Sequence, residues 1–306
     1  MRFKTILLSY LIATVGCLPV HVLAQQDEDV RGAFLTTRPK PSEPANKAGT
    51  VRPNRRRPKA VVHSPTQGAA PDKKPDIADK KTIAQKMGLG LTLFMRDSNG
   101  NAIRTDPSHE FQKGDHVRVL LETNVDGYLY IFNTTNDGPP VMIYPDPELD
   151  GAGNYLQSHV PFEIPSSVAQ EERLRWFTFD QNAGAEKLYF VFTREPLAAV
   201  PIEDDLLTFC RDNRGKCPWT PGTEIWSNIQ KELAAPIQVA KAARVEGSQT
   251  SGEQRAVTRG IGLNRDDPEP SLIMLTASTS KNILVTTLEL VHKSAKLSKR
   301  ELTVGR

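Results

Sequence analysis

The densest run of possible ligands in the 306-residue sequence is Asp146-Pro147-Glu148-Leu149-Asp150-Gly151. Carboxylates at its first, third and fifth positions, with glycine at the sixth, follow the opening of a calcium loop, in which alternate oxygens wrap a hard cation. The correspondence ends at position 12, which is Gln157 where a bidentate glutamate is needed, and no helical pattern flanks the loop. Asp146, Glu148 and Asp150 therefore stand as a weak calcium site beside the simpler reading of a surface loop. The histidines His63, His109, His116, His159 and His292 are scattered, without the H-x3-H or H-E-x-x-H spacing that brings two imidazoles to one metal. No G-x-S-x-G elbow and no glycine-rich phosphate loop occurs. A triad assembled from distant positions would leave no such trace. No catalytic residue is assigned, and apart from calcium no cofactor is expected.

Cys210 and Cys217 enclose a polar, turn-rich stretch, Arg211-Asp212-Asn213-Arg214-Gly215-Lys216. In an oxidising compartment two cysteines so placed read as a disulfide, and closing so short a loop contributes about 2–3 kcal/mol in the chain-entropy model. The C-x6-C spacing is too wide for a C-x-x-C redox motif, and no second ligand pair completes a zinc site. Free thiols are the alternative.

The oxidising compartment is itself an expectation from the N-terminus. Met1-Arg2-Phe3-Lys4 is positive, Ile6 to Gly16 is apolar, and Val22-Leu23-Ala24 offers small or apolar residues before Gln25. These are the parts of a secretory signal peptide over residues 1–24. The apolar run is far shorter than the roughly 20 residues a membrane-spanning helix needs, so no transmembrane segment is expected in the processed chain. Thr14-Val15-Gly16-Cys17 offers a rival exit, a lipobox whose cysteine becomes lipidated. Threonine stands where leucine is usual, and Pro19 to Ala24 would then be a redundant second exit. A lipid on Cys17 is the weaker reading.

Residues 25–86 carry 14 Lys/Arg against 7 Asp/Glu, with eight prolines from Pro39 to Pro75 and no aromatic residue between Phe34 and Phe94. Such a segment buries too little apolar area to offset the entropy of ordering it, and its prolines favour an extended spacer. Arg52, Arg55, Arg56, Arg57 and Lys59 form its densest positive cluster. The cluster reads either as plain solvated linker or as a weak clasp for an anionic envelope polymer or headgroup. Nucleic acid is not an expected partner, because the chain is read as exported and no aromatic platform accompanies the charge.

From residue 87 to 294 short β-like runs alternate with turn signals. Leu89 to Arg96 leads into Asp97-Ser98-Asn99-Gly100, a hairpin turn. His116 to Thr123 is expected to turn back at Val125-Asp126-Gly127 into Tyr128 to Asn133. Val141 to Tyr144 follows. Arg173 to Asp180 and Lys187 to Arg194 read as a further pair, and Leu272 to Ala277 and Ile283 to Val291 supply the last strands. Tyr128 to Asn133 and Leu188 to Phe192 are apolar on both alternating faces, which suits central strands covered on both sides. One helix is expected near 223–234, capped by Thr223 and packed through Trp226, Ile229 and Leu233. Residues 245–256 read as a mobile loop. The fold class is thus all-β, an antiparallel β-sandwich over 87–294 with one inserted helix, preceded by a disordered tail over 25–86 and followed by a C-terminal tail over 295–306.

The run F-Q-K-G-D-H-V-R-V-L-L-E-T-N-V-D-G-Y-L-Y, from Phe111 to Tyr130, resembles the signature hairpin of the bacterial domain of unknown function 4384. Tyr144-Pro145, Trp176 to Asp180, Glu186 to Arg194 and the ending Leu290-Val291-His292 fit the same family, over roughly residues 88–294. The resemblance implies a β-rich, non-catalytic module found on signalling or envelope proteins, and it brings no catalytic residues. Physically, the acidic and amide groups of the run read as turn chemistry at Asp115, Asn124 and Asp126, with Glu122 either solvated or paired with Arg118. The function expected is a non-enzymatic extracytoplasmic binding or scaffold module of the cell envelope, with an envelope protein or polymer as partner. An unrecognised secreted hydrolase and a calcium-assisted adhesion module are the alternatives. A hydrolase predicts a deep cleft with converging polar groups, whereas a scaffold predicts a flat sheet face or exposed edge.

Overall fold

The structure, a computed structural model, describes residues 21–41, 85–147, 153–213, 215–242 and 246–293. Helix α1 (His21–Leu35) precedes strands β1 (Gly88–Arg96), β2 (Ala102–Arg104), β3 (His116–Thr123), β4 (Gly127–Thr135), β5 (Val141–Tyr144), β6 (Tyr155–Leu156), β7 (Phe162–Ile164), β8 (Phe177–Thr178) and β9 (Gly184–Thr193). Helices α2 (Glu203–Asp212) and α3 (Thr223–Leu233), strand β10 (Ile237–Lys241), helix α4 (Ser251–Arg259) and strands β11 (Leu272–Thr276) and β12 (Ile283–His292) complete the order. One sheet runs β10-β11-β1-β3-β7, with β2 on β1 and β8 on β3. The other runs β12-β9-β4-β5, with β6 on β4. Their ladders are antiparallel, and the chain is a β-sandwich as the pattern predicts.

Strand alternation builds the core. Leu129 and Ile131 of β4, Leu188, Phe190 and Phe192 of β9, and Leu284, Leu288 and Leu290 of β12 point between the sheets. They meet Leu89 and Leu91 of β1 and Val117, Val119 and Leu121 of β3. The other face of β4 and β9 carries Tyr128, Tyr130, Phe132, Tyr189 and Val191, which α2 and α3 cover through Leu206, Trp226 and Ile229. Phe132 and Tyr189 both set their rings edge-on to Trp226, with centroids 5.8 and 4.8 Å away. The double coverage expected of these two runs is therefore present, with helices on one side and the second sheet on the other.

Several local expectations are corrected. β3 and β4 do not form a hairpin: β3 pairs with β1 and β7, and β4 with β9, so residues 124–126 carry the chain across the sandwich. Both strands have apolar inward positions, and these are satisfied by facing each other across the core rather than by lying side by side. Gly127 follows from that crossing, since a Cβ there would stand 2.5 Å from the Thr193 carbonyl oxygen. The segment 173–180 does not pair with 187–194 either. Only Phe177–Thr178 is strand, bonded to β3 in the opposite sheet, after a short 3-10 turn at Glu172–Leu174. Helix α3 lies where expected, but Gly222 rather than Thr223 is its N-cap. α2 and α4 are additional helices. α4 occupies part of the expected loop 245–256, started by a capping box in which Thr250 and Glu253 bond each other's backbone N–H.

The tail is shorter than the composition suggests. Residues 26–41, assigned above to the linker, fold: Val30 and Phe34 of α1 are buried against Ala240, Ile273 and Leu275. Gly88 and Gly90 of β1 make room, because a Cβ on Gly88 would lie 2.7 Å from the Phe34 ring. These contacts lie after the expected exit at Ala24, so removal of residues 1–24 leaves them in place. Beyond α1, Arg38 is buried and spends its guanidinium fully. It donates to Glu122 Oε1 and Oε2 at 2.8 and 2.6 Å, and to the carbonyls of Asn264, Asp267 and Pro268 at 3.2, 2.9 and 3.1 Å. Glu122 is thus paired with Arg38, while Arg118 pairs with Glu163 at 3.3 Å.

Burial alone would raise the Glu122 carboxyl, but hydrogen bonds from His159 and Arg38, and the charge of Arg38, outweigh it and hold it below the usual carboxylate range. A depressed carboxyl stabilises the fold above its unfolded pKa of about 4.3 and loses that contribution as pH falls through its folded value. Urea denaturation should therefore show stability falling below about pH 4, with a shallower fall in Glu122→Gln. At neutral pH, Arg38→Met should cost about 3–5 kcal/mol, because it leaves a buried carboxylate uncompensated.

Candidate functional site

The alternation that builds the core continues past its apolar end. On β4 the inward positions run Leu129, Ile131, Asn133, Thr135. On β9, read backward, they run Phe192, Phe190, Leu188, Glu186, and on β12 they end Leu288, Leu290, His292. Backbone geometry does not change along these strands; side-chain chemistry does. Between the sheets at this end lies a cavity of about 420 Å³, floored by Val117, Ile143, Phe177, Leu188 and Leu290 and rimmed by Asn133, Thr135, Asp180, Glu186 and His292. That volume is within the roughly 300–1,000 Å³ of small-molecule sites.

The polar groups are held in place by neighbours. Asn133 Nδ2 and Thr135 Oγ1 both donate to Glu186 Oε2, at 2.8 and 2.9 Å. Asn133 Oδ1 is buried and accepts no hydrogen bond among the described residues. His292 donates through Nδ1 to the Asn182 carbonyl at 2.9 Å, which turns Nε2 away from that bond. Its ring packs 5.3 Å from Phe179, which stacks on Phe111 at 4.8 Å. Phe111 in turn bonds both sides of His292: its N–H donates to the Val291 carbonyl at 3.0 Å, and its carbonyl accepts from Lys293 N at 3.0 Å. The F-x-x-G-D segment thereby ties the cavity end to the last strand. Asp115 serves that turn by accepting from Gln112 N at 2.8 Å. Asp126 accepts from Ser158 N and from Tyr155, whose hydroxyl is pushed up to about 12 by burial and by the Asp126 carboxylate.

Chemically, the cavity offers an apolar floor, two carboxylates and an imidazole. No lysine, arginine, serine or cysteine is among the described residues that line it. Thr178 Oγ1 lies 2.8 Å from His116 Nδ1, and no carboxylate orients that imidazole among the described residues. A hydroxyl–imidazole–carboxylate row does occur elsewhere: Thr37 Oγ1 meets His159 Nε2 at 2.7 Å, and His159 Nδ1 meets Glu122 Oε1 at 2.7 Å. Its carboxylate is spent on Arg38, and the void beside Glu122 measures only about 10 Å³. This row anchors the N-terminal segment and has no room for a substrate.

Among the described residues, those offered as a disulfide, calcium or polyanion site do not lie at the cavity, whereas His292 and parts of the segments Trp176 to Asp180 and Glu186 to Arg194, which carry the family resemblance, do line it. Cys210, on α2, and Cys217 form the expected disulfide, with Cα atoms 5.4 Å apart. Asp146 follows β5, while Glu148 and Asp150 lie outside the described residues, as do Arg52, Arg55, Arg56, Arg57 and Lys59. Among the described residues no group of three or more His, Cys, Asp or Glu is placed to hold a metal ion. Asn133 and Thr135 are not site candidates in the sequence, and Glu186 and His292 enter as family-motif positions, because nothing local shows that the four share one cavity. The available signal was positional: polar residues on the inward parity of strands that are otherwise apolar.

Residues 110–196 match the model of a domain of unknown function, DUF4384. The match is narrower than the 88–294 expected, and it spans β3 to β9 but neither β1 nor β12, the strands that pair with them. No curated protein and no solved structure matches the chain. Within the matched region, the polar positions on β4 and β9 predict a specific stability pattern. Glu186→Leu alone should cost about 1 kcal/mol by stranding the Asn133 amide. Asn133→Leu combined with Glu186→Leu should restore thermal stability to at least the starting value, since neither partner then remains.

Proposed function

From a chain that carries a DUF4384 domain, we propose a non-enzymatic, extracytoplasmic binding module of the bacterial cell envelope that holds a small ligand between its two sheets. The carrying observation is the switch from apolar to polar side chains on the inward positions of β4, β9 and β12, which opens a cavity where packing would otherwise continue. Asn133 and Glu186 are half-buried and Thr135 is exposed, so the polar end of these strands opens to solvent beside an apolar floor, an arrangement that suits a ligand with both characters. A cleft is the feature expected of the hydrolase alternative rather than of a flat-faced scaffold, so the choice between binding and hydrolysis rests on the side chains that line it. Its lining supplies no oriented nucleophile–base pair among the described residues, which supports binding over hydrolysis. Export rests on the apolar leader over residues 1–24, and the Cys210–Cys217 disulfide is compatible with it. No helix among the described residues is long and apolar enough to cross a membrane. The basic, proline-rich segment after residue 41 serves as a tether that spaces the sandwich from its attachment point.

Fusing residues 1–24 to alkaline phosphatase should give activity that depends on export. Purified full chain should turn over no member of an ester, peptide and glycoside panel, and fragments detected by ligand-observed NMR should be lost in Leu290→Trp, which fills the cavity. Turnover abolished by a single cavity substitution would establish an enzyme instead. Fragment binding unaffected by the tryptophan would place the site elsewhere.

A further inference from the structure

Glu186 is the anomaly of the cavity. Its neighbours at inward positions of β9 are Leu188, Phe190 and Phe192, all buried in the core, and it sits opposite Thr135 on β4 and Leu290 on β12. A carboxylate on the inward parity of a central strand is costly unless a cation or several hydrogen bonds compensate it. Compensation here is partial. Oε2 accepts from Asn133 and Thr135, whereas Oε1 has no partner among the described residues and no lysine or arginine pairs with either oxygen. The nearby basic residue on the same strand, Lys187, points to the opposite face and bonds Asp137 at 3.1 Å.

The second carboxylate at the rim, Asp180, takes Asn182 N and Nδ2 at 2.7 Å each, and these neutral donors leave its charge uncancelled. Asn133 Oδ1 is sealed from solvent and is not presented to the cavity, so the amide serves to hold Glu186. Among the described residues, the charged acceptors at the rim are the two carboxylates. Beneath them Phe177, Leu188 and Leu290 form an apolar floor. The complement of such a surface carries a positive charge with N–H donors at one end and an apolar body at the other.

Resting on the binding reading above, we propose that the cavity is an amine site: it takes a ligand with a protonated amino group on an apolar stem, the ammonium donating to Glu186 and the stem lying on Phe177, Leu188 and Leu290. Hydrogen bonds from a charged donor to a partly desolvated carboxylate are the strong class, and the apolar floor supplies affinity without selecting charge. Cation selection therefore resides in Glu186, while general affinity resides in the floor. The two contributions separate experimentally.

Three probes of one shape test this: 2-phenylethylamine, 2-phenylethanol and phenylacetate, each titrated into the full chain and followed through the NMR methyl signals of Leu188 and Leu290. The amine should bind about tenfold or more tightly than the alcohol, as loss of one charge-assisted hydrogen bond implies, and phenylacetate should bind weakest. Glu186→Gln should remove the amine's advantage over the alcohol, and alcohol binding that persists at the Leu188 and Leu290 methyls shows that the variant is folded. Equal binding of amine and alcohol at these methyls, or an amine advantage that survives Glu186→Gln, overturns the amine site and leaves the binding cavity standing. Shifts in Leu188 and Leu290 from none of the probes overturn both.

Discussion

The pairing of β4 with β9 is the constraint on which the rest of the structure depends. Eight registered residue pairs, from Tyr128–Thr193 to Thr135–Glu186, lay two strands side by side that are apolar on both faces over most of their length. A sheet so built cannot leave either face in water. Its inner face demands a second sheet, which β1, β3 and β11 supply, and its outer face demands helices, which α2 and α3 supply. The cavity follows from the same pairing. Both strands extend beyond the region where their inward side chains are apolar, so the two sheets remain apart over a zone with no hydrophobic filling.

The opposite sheet solves its outer face differently. There the strands carry Arg118 and Glu122 on β3 and Glu163 on β7, and the cover consists of the N-terminal segment, the loop around residue 267 and α4. Arg38 joins three of these parts by bonding Glu122 and three loop carbonyls. Arg104 makes a similar connection to α4 through Glu253 at 2.5 Å. Buried ion pairs of this kind contribute little net stability over an apolar replacement, but they penalise every arrangement in which one partner is missing. They fix where the N-terminal segment docks on the sandwich.

Much of this was legible in the sequence, for reasons that can be stated residue by residue. Tyr128 to Phe132 and Leu188 to Phe192 announced doubly covered strands because both alternating faces are apolar. Asn99-Gly100 announced its hairpin because positive φ is costly for most other residues, and Gly100 does adopt a φ of 86°. The cysteine pair and helix α3 were equally local signals. What escaped was nonlocal. That β3 and β4 face each other rather than pair depends on the whole inward set. Arg38 was hidden in a basic, proline-rich stretch, and its acidic partner lies 84 positions away. Two signals for the missed elements were present: Gly88 and Gly90, which clear the ground for Phe34, and Thr250-x-x-Glu253, which starts α4. The cavity was visible only as a change of chemistry at constant parity on three strands, which needs the strand register before it can be read.

The proposed function accordingly rests on the place where the folding pattern is broken, at Asn133, Thr135, Glu186 and His292. A crystal structure of the full chain grown with 2-phenylethylamine tests that claim most directly. The account predicts electron density between β4, β9 and β12, with the amine nitrogen within hydrogen-bonding distance of Glu186 and the ring against Leu188 and Leu290. A cavity filled by rearranged protein side chains, or ligand bound elsewhere with the space between the sheets unchanged, would contradict it.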